Sequence, residues 1–270
     1  AVAAARGADA AVVFVGSSST TEGEGYDRTS LDLPGDQNKL VEAVIAANPK
    51  TAVVVNAGAA MTMPWSDKAP AIVDMWLPGE GGAAALANIL TGKVNPSGKL
   101  PVTFPARTED DNISLKGAKT PYSEGLLVGY RGYAARGVKP LFPFGHGLSY
   151  TRFTYSGLSG PVRVKGSAAA PMRVTLRNDG AAAGKEVVQF YVAPLAPAAG
   201  DAPLALRGFA KVDLAPKARK TVSVTLDPRA FSRFDVESGA WRVVPGRYRI
   251  MAGSSSADIR QVREIEVTAD

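Results

Sequence analysis

The hydrophobic pattern of the chain changes character at about residue 157, and this change constrains the fold most. In the first hundred residues, continuous apolar runs such as AVVFV and TAVVV alternate with segments of helical periodicity. Beyond the change, apolar and polar residues alternate with a period of two. The first pattern is typical of buried parallel strands, and the second of half-buried antiparallel strands. We therefore predict two domains of different class within the 270 residues.

The N-terminal part predicts an α/β fold. Its strands and helices should be, in order, a strand at 10–16, a helix with Asp36 as N-cap, strands at 51–58 and 70–79, and a helix from Gly82 to Leu90 that stops at Gly92. Because strand–helix–strand crossovers are right-handed, such strands form a mostly parallel sheet. We predict a partial, mostly parallel-sheet α/β sandwich domain over 1–120. The chain opens in the tail of an Ala-rich helical pattern, so we expect this domain to be truncated at its N-terminus.

The C-terminal part predicts an all-β domain. Six or seven short strands separated by turns such as NDG and PGR are typical of a fibronectin-III or immunoglobulin-like β-sandwich, which we place at 157–270. The segment 121–156 between the two domains carries closely spaced aromatics in GLLVGYRGY and PLFPFGHGLSY. We interpret it as a hydrophobic linker or clamp and not as a ligand box.

Composition excludes several classes of function. The net charge is +6, but the basic residues are scattered, which argues against nucleic-acid binding. No apolar run approaches the roughly 18 residues of a membrane span. There is no cysteine and only one histidine, His146, so a zinc site is not expected, and we predict no metal or organic cofactor. No G-x-S-x-G or phosphate-binding glycine loop is present.

The stretch TTEGEGYDR follows the first predicted strand, where ligands collect in open α/β sheets. It contains Glu22, Glu24 and Asp27, whose spacing does not match a twelve-residue calcium loop. Carboxylate acid–base chemistry remains, as in glycoside hydrolysis, where two carboxyl groups usually act together. Glu22 and Glu24 lie on an exposed, glycine-rich backbone that suits one proton donor better than a complete pair.

Several segments, taken in order, resemble the C-terminal half of family 3 glycoside hydrolases, the β-glucosidase group. They are EGEGYDRTSLDLPGDQNKLVEAV, KTAVVVNAGAAMTMPW, WLPGEGGAAALANILTGKVNPSGKLPVTFP, VGYRGY and PLFPFGHGLSYTRFTY. The resemblance spans nearly the whole chain, and NPSGKLPVTFP followed by PFGHGLSYT is its most specific part. NDG, AGKEVVQFYV, LRGFAKVDL and GRYRIMAGSSSADI resemble the fibronectin-III-like domain of the same family.

The resemblance implies a retaining exo-acting β-glycosidase that removes terminal β-linked sugars. The family's acid/base glutamate falls on Glu24, with Glu22 as second choice and loop-shaping neighbour. Tyr26, Asp27 and Arg28 match the same motif, and the Asp27–Arg28 pair either fixes the loop or contacts sugar. The aspartate nucleophile belongs to an N-terminal (β/α)8 barrel that this sequence lacks. The chain alone is therefore expected to be inactive.

The resemblance also implies partners and a location. The expected partners are a β-linked oligosaccharide or glycoside and the barrel domain, with no nucleic acid and no membrane. A periplasmic or secreted location is favoured by the resemblance alone. The alternative from the residues is a non-catalytic carbohydrate-binding or scaffold module. The sequence leaves the sugar, the linkage and the oligomeric state open.

Overall fold

A computed structural model describes residues 1–25, 28–110 and 122–270. Within these ranges the chain forms two compact units. The first holds residues 1–91 with 104–110 and 140–142, and the second holds 92–103, 122–139 and 143–270.

The first unit contains the predicted α/β elements. In chain order they are α1 (Val2–Arg6), β1 (Ala11–Gly16), α2 (Gln37–Ala47), β2 (Thr51–Asn56), β3 (Ala71–Asp74) and α3 (Gly82–Leu90), followed by a 3-10 turn at Thr108–Asp110. The strands form a parallel sheet in the order β1-β2-β3, with Val13 opposite Val53 and Val53 opposite Ile72. The continuous apolar runs thus give a parallel sheet, as the sequence predicts.

The sheet of the first unit is buried unequally on its two faces. Val13 and Val15 on β1 point into the core, whereas Val12 and Phe14 are 45% and 57% exposed. The central strand β2 carries Val53, Val54 and Val55, which are almost fully buried. β2 therefore holds the centre of this unit, and β1 forms an edge with one open face.

Two details at the ends of elements differ from the sequence prediction. Asp36 occupies the N-cap position of α2, but its carboxylate makes no capping hydrogen bond and instead accepts from Lys39 Nζ at 2.8 Å. The third strand ends at Asp74 and not at residue 79, because Trp76 has a positive φ of 51° that an extended strand does not allow. The end of α3 matches the prediction, with Gly92 in the left-handed region.

The second unit is mostly β. Its elements are α4 (Tyr130–Arg136), β4 (Phe153–Ser159), β5 (Arg163–Lys165), β6 (Ala170–Asn178), β7 (Gly184–Pro194), β8 (Ala205–Leu214), β9 (Arg219–Leu226), a 3-10 turn at Pro228–Phe231, β10 (Ser232–Asp235), β11 (Ala240–Val243), β12 (Gly246–Ser255) and β13 (Asp258–Thr268). The described strands exceed the six or seven predicted, because β4, β5 and β10 are not among the predicted strands.

The strands of the second unit form a β-sandwich. One sheet has the order β5-β13-β12-β7-β8 and the other β4-β6-β9, with β10 and β11 as a separate ribbon. Pairing is antiparallel except between β13 and β5. The core contains residues of both sheets, among them Phe153, Met172, Leu176, Phe190 and Ile250. The predicted all-β sandwich is confirmed.

Several aromatics of the segment 122–156 are used for packing. Tyr130 of α4 stacks on Phe144 with ring centroids 4.7 Å apart and meets Tyr191 of β7 edge-on. Phe142 packs edge-on against Phe104 in the first unit. Because Tyr130 and Phe144 cover residues of β7, this strand is buried along both sides for most of its length.

Candidate active site

The candidate site lies where the parallel strands of the first unit end. The chain leaves β1 at Gly16, β2 at Asn56 and β3 at Asp74, all at the carboxyl edge of one sheet. The side chain of Gln37, at the start of α2, accepts from Gly16 N at 2.7 Å and donates to Gly16 O at 2.9 Å. This amide fixes α2 to the end of β1 and defines where the long loop begins.

Glu22 is the most constrained carboxylate of the loop. Its Oε2 accepts hydrogen bonds from Ser17 Oγ, directly after β1, and from Gly58 N at 3.0 Å, just beyond β2. A tight turn precedes it, in which Glu22 N donates to Ser18 O at 2.8 Å. The side chain therefore bridges two neighbouring strand ends.

The surroundings of Glu22 keep its carboxyl group ionised. The Ser17 hydroxyl is the main cause that holds the pKa of Glu22 below its ordinary value, against a smaller opposing effect of burial. The Gly58 N–H and the positive charge of Arg28 lower this pKa further. A carboxylate with a lowered pKa is a poor proton donor near neutral pH.

Glu24 has different surroundings. It is exposed and lies between the exposed residues Gly23 and Gly25. Within the described part of the chain, its carboxyl group makes no hydrogen bond. The structure thus separates the two glutamates, one held in the loop and one open to solvent. Tyr26 and Asp27, which the sequence also singled out, lie outside the described residues.

Arg28 lies in the same loop, four residues after Glu24. Its Nη2 contacts Met61 Sδ at 2.9 Å, and its Nη1 is buried without a hydrogen-bond partner among the described residues. A cavity of about 390 Å³ adjoins it, and the lining residues are Ser17, Thr20, Thr21, Arg28, Thr29, Ser30, Asp32, Leu33, Pro34, Gly35 and Met61. Hydroxyl groups and one guanidinium group give this recess a polar lining, although Glu24 is not part of it.

Sequence reasoning missed Asp74 at the end of β3. This carboxyl group is half-buried, and burial raises its pKa to about 6 while the Trp76 N–H, at 3.2 Å from Oδ1, opposes the rise. Its Oδ2 is buried with no partner among the described residues. The available signal was an acid directly after an apolar run.

Two further features of the described ranges concern metal binding and membrane spans. Within them, no group of three or more His, Cys, Asp or Glu side chains is arranged to hold a metal ion. No helix of those ranges is long and apolar enough to cross a membrane.

The sequence and the fold match known proteins along the chain. Residues 1–150 match the glycosyl hydrolase family 3 C-terminal domain, and residues 186–256 match a fibronectin type III-like domain. The chain is 41% identical over 271 aligned residues to thermostable β-glucosidase B of Acetivibrio thermocellus, which covers 98% of this chain and 36% of that protein. It is 40% identical to β-glucosidase B of Emericella nidulans, over 100% of this chain and 34% of that protein.

Solved structures show the same correspondence. The crystal structure of DesR, a β-glucosidase from Streptomyces venezuelae in complex with D-glucose, superposes with a TM-score of 0.90 at 43% identity. The alignment covers 99% of this chain and 35% of DesR. The chain thus spans about a third of the length of these relatives. The family match over more than half of the chain shows that it belongs to glycoside hydrolase family 3, as a C-terminal portion with a fibronectin type III-like domain.

Proposed function

We propose that this chain is the part of a retaining exo-acting β-glycosidase that supplies the acid/base residue, Glu24. The observation that carries the proposal is the difference in hydrogen bonding and exposure between the two loop glutamates. Glu22 is engaged by Ser17 and Gly58, while Glu24 is open to solvent two residues further on. A proton donor must reach a bound substrate, and the exposed Glu24 is freer to do so than Glu22, whose Oε2 accepts two hydrogen bonds.

In this proposal the reaction proceeds by double displacement. Glu24 first donates a proton to the glycosidic oxygen while a nucleophile attacks the anomeric carbon. The resulting Glu24 carboxylate then takes a proton from the water that releases the sugar. From the resemblance to family 3 glycoside hydrolases, we assign the nucleophile to an aspartate in an N-terminal (β/α)8 barrel outside this sequence.

The proposed substrate class is a terminal β-linked, glucose-like sugar. The relatives at about 40% identity are named β-glucosidases, and DesR was solved with D-glucose. Arg28 and the hydroxyl groups of the neighbouring recess are suited to hold sugar hydroxyls, because a buried Nη1 of Arg28 lacks a described partner. We propose that the sugar preference itself depends on the barrel, and that the enzyme is periplasmic or secreted.

The test replaces Glu24 by Ala in the full-length enzyme. Loss of the proton donor should slow hydrolysis of glycosides with poor leaving groups by about 100- to 10,000-fold. Activated aryl glycosides should lose less at the first step, because their leaving group departs without protonation. Added azide should restore turnover of these activated substrates and yield a glycosyl azide.

Glu80 provides a matched control. It is also exposed and also lies between two glycines, Gly79 and Gly81, and it follows β3, the other outer strand of the same sheet. Glu80→Ala should keep the leaving-group dependence of the parent enzyme. If Glu24→Ala affects good and poor leaving groups equally and azide gives no rescue, Glu24 is not the acid/base.

A further inference from the structure

We propose that Glu22 is a positioning residue for catalysis, whose carboxylate fixes the loop that presents Glu24 by joining the ends of β1 and β2. This inference rests on the proposed role of Glu24. It assigns to Glu22 a function distinct from proton transfer, and it identifies Ser17 and Gly58 as the groups through which Glu22 acts.

The first support is the pair of contacts. Ser17 follows the last residue of β1, and Gly58 lies two residues after the end of β2. Both donate to the same oxygen, Oε2 of Glu22. Because β1 and β2 are adjacent parallel strands with paired residues Gly16 and Asn56, their ends form a rigid base. The backbone at residue 22 is thereby tied to the sheet.

The second support is the lack of a side chain at position 58. A Cβ built on Gly58 would overlap Oε1 of Glu22. The carboxylate therefore lies directly against bare backbone, and any larger residue at 58 would displace it. This close approach makes the contact sensitive to a single methyl group.

The third support is a set of contacts made by loop residues that follow Glu24 in the sequence. Arg28 contacts Met61, Thr62 N donates to Leu31 O at 2.9 Å, and Thr62 Oγ1 donates to Asp32. The loop is thus held both before and after Glu24 by the segment that follows β2. Between Glu22 and Arg28 the sequence has only the five residues 23–27, so both anchors limit where Glu24 can lie.

The charge on Glu22 agrees with this role. The Ser17 hydroxyl, with help from the Gly58 N–H and Arg28, lowers the pKa of Glu22, so the group stays an ionised acceptor at a lower pH than an ordinary glutamate does. An ionised acceptor makes stronger hydrogen bonds than a neutral one. The anchor should weaken only when the medium is acidic enough to protonate Glu22.

The experiment compares Glu22→Ala, Glu22→Gln and Gly58→Ala in the full-length enzyme. Misplacing a catalytic group by about 1 Å costs on the order of 100-fold. We expect Glu22→Ala and Gly58→Ala to lower kcat by about 10- to 100-fold on both good and poor leaving groups, with no rescue by azide. The limb of the pH–rate profile that reports Glu24 should persist. Glu22→Gln, which keeps an acceptor oxygen for the Gly58 N–H, should recover a large part of kcat.

Two controls separate positioning from loss of folding. Glu42→Ala, on the exposed surface of α2, should leave kcat and KM unchanged. The thermal midpoints of the Glu22 variants should stay close to the parent value. The double variant Glu22→Ala/Gly58→Ala should lose no more kcat than the worse single variant, because the two substitutions remove the same anchor.

The outcomes distinguish the inference from the proposed function. Unchanged kcat in Glu22→Ala overturns the positioning role and leaves the assignment of Glu24 intact. Azide rescue of Glu22→Ala, with Glu22→Gln as impaired as Glu22→Ala, makes Glu22 the acid/base and overturns both. A kcat loss without azide rescue, together with recovery in Glu22→Gln, supports the inference.

Discussion

Single residues of this protein gain their properties from the groups that surround them in the folded chain. Asp74 closes β3, and its partial burial raises the pKa to about 6. Gly145 adopts a φ of +82° where it lies against the side chain of Gln189. That side chain donates to Gly145 O at 3.1 Å and to Ser254 O at 2.6 Å, and it accepts from Tyr191 Oη at 2.6 Å. Asp74 and Gly145 each support a prediction about a single substitution.

Asp74 should make stability depend on pH. Its pKa is about 6 in the folded chain against 3.8 for an ordinary aspartate, so the folded state binds the proton more tightly. The stabilisation is therefore fully present below pH about 4 and is lost as the pH rises through about 6. Relative to the Asp74→Asn variant, the thermal midpoint of the parent chain should fall as the pH rises from about 4 to about 6. Parallel midpoints of the two proteins from pH 4 to pH 7 would show that Asp74 titrates normally.

Gly145→Ala should destabilise the second unit more than Gly157→Ala does. Gly157 also has a positive φ, 64°, but nothing lies within 4 Å of an added Cβ there, so it reports the backbone cost of about 1–2 kcal/mol alone. At Gly145 the added Cβ also collides with Gln189, and overpacking adds about 1–3 kcal/mol. Denaturant unfolding of both variants measures the difference. Equal losses would mean that Gln189 moves aside freely.

At the scale of elements, polar side chains join segments that are distant in sequence. Lys99, in the NPSGKLP motif, pairs with Glu186 of β7 at 2.9 Å, and the two side chains are only 13% and 7% exposed. Lys99 Nζ also donates to Gly147 O at 2.9 Å. In the same motif, Asn95 Oδ1 accepts from Ser149 Oγ and from Tyr150 N. These contacts give a physical reason for the pairing of NPSGKLP with PFGHGLSYT in one chain.

Lys99→Met should therefore be strongly destabilising. It leaves the Glu186 carboxylate buried without its partner, a change that costs about 3–5 kcal/mol. Replacing both residues by Met should restore most of the loss, because neither charge is then buried alone. The comparison is Lys39→Met in the pair with Asp36, where both side chains are 82% exposed and the expected cost is below about 1 kcal/mol. Similar losses in the two single variants, measured by urea unfolding, would contradict the argument.

At the scale of the whole molecule, two units with separate cores occupy one chain. The sandwich of the second unit has a core that draws on both of its sheets. The parallel sheet of the first unit is narrower, and Val12 and Phe14 leave part of its surface open. The chain also spans only about a third of its β-glucosidase relatives. A site at the edge of the first unit therefore has one candidate acid/base and no identified nucleophile.

The 270-residue chain by itself should not hydrolyse aryl β-glucosides, because a retaining mechanism needs two carboxyl groups about 5–5.5 Å apart. The measurement is release of the aryl group by the purified chain, with the full-length enzyme as the positive control. Hydrolysis that persists in the purified chain and disappears in its Glu24→Ala variant would show that the chain contains a complete site.

The order of elements followed from the sequence with good accuracy where patterns are local. The apolar runs at β1 and β2 and the helix Gly82–Leu90 could be predicted from periodicity alone. The short strand β10 could not, since SRFD alternates weakly and none of its residues is buried. The predicted side-chain cap at Asp36 is wrong, because the Asp36 carboxylate accepts from Lys39 Nζ and makes no capping hydrogen bond. Competition between nearby partners decides such cases.

For the candidate site, the sequence by itself determined which residue types were available. It places Glu22 and Glu24 in a glycine-rich loop after β1, and its motifs fix the family. Only the tertiary structure separated the two, because Ser17 and Gly58 come from the ends of different strands and meet at Glu22 alone. Likewise, only folding buries Asp74. Contacts between residues distant in sequence set burial and hydrogen bonding, and local sequence does not encode these directly.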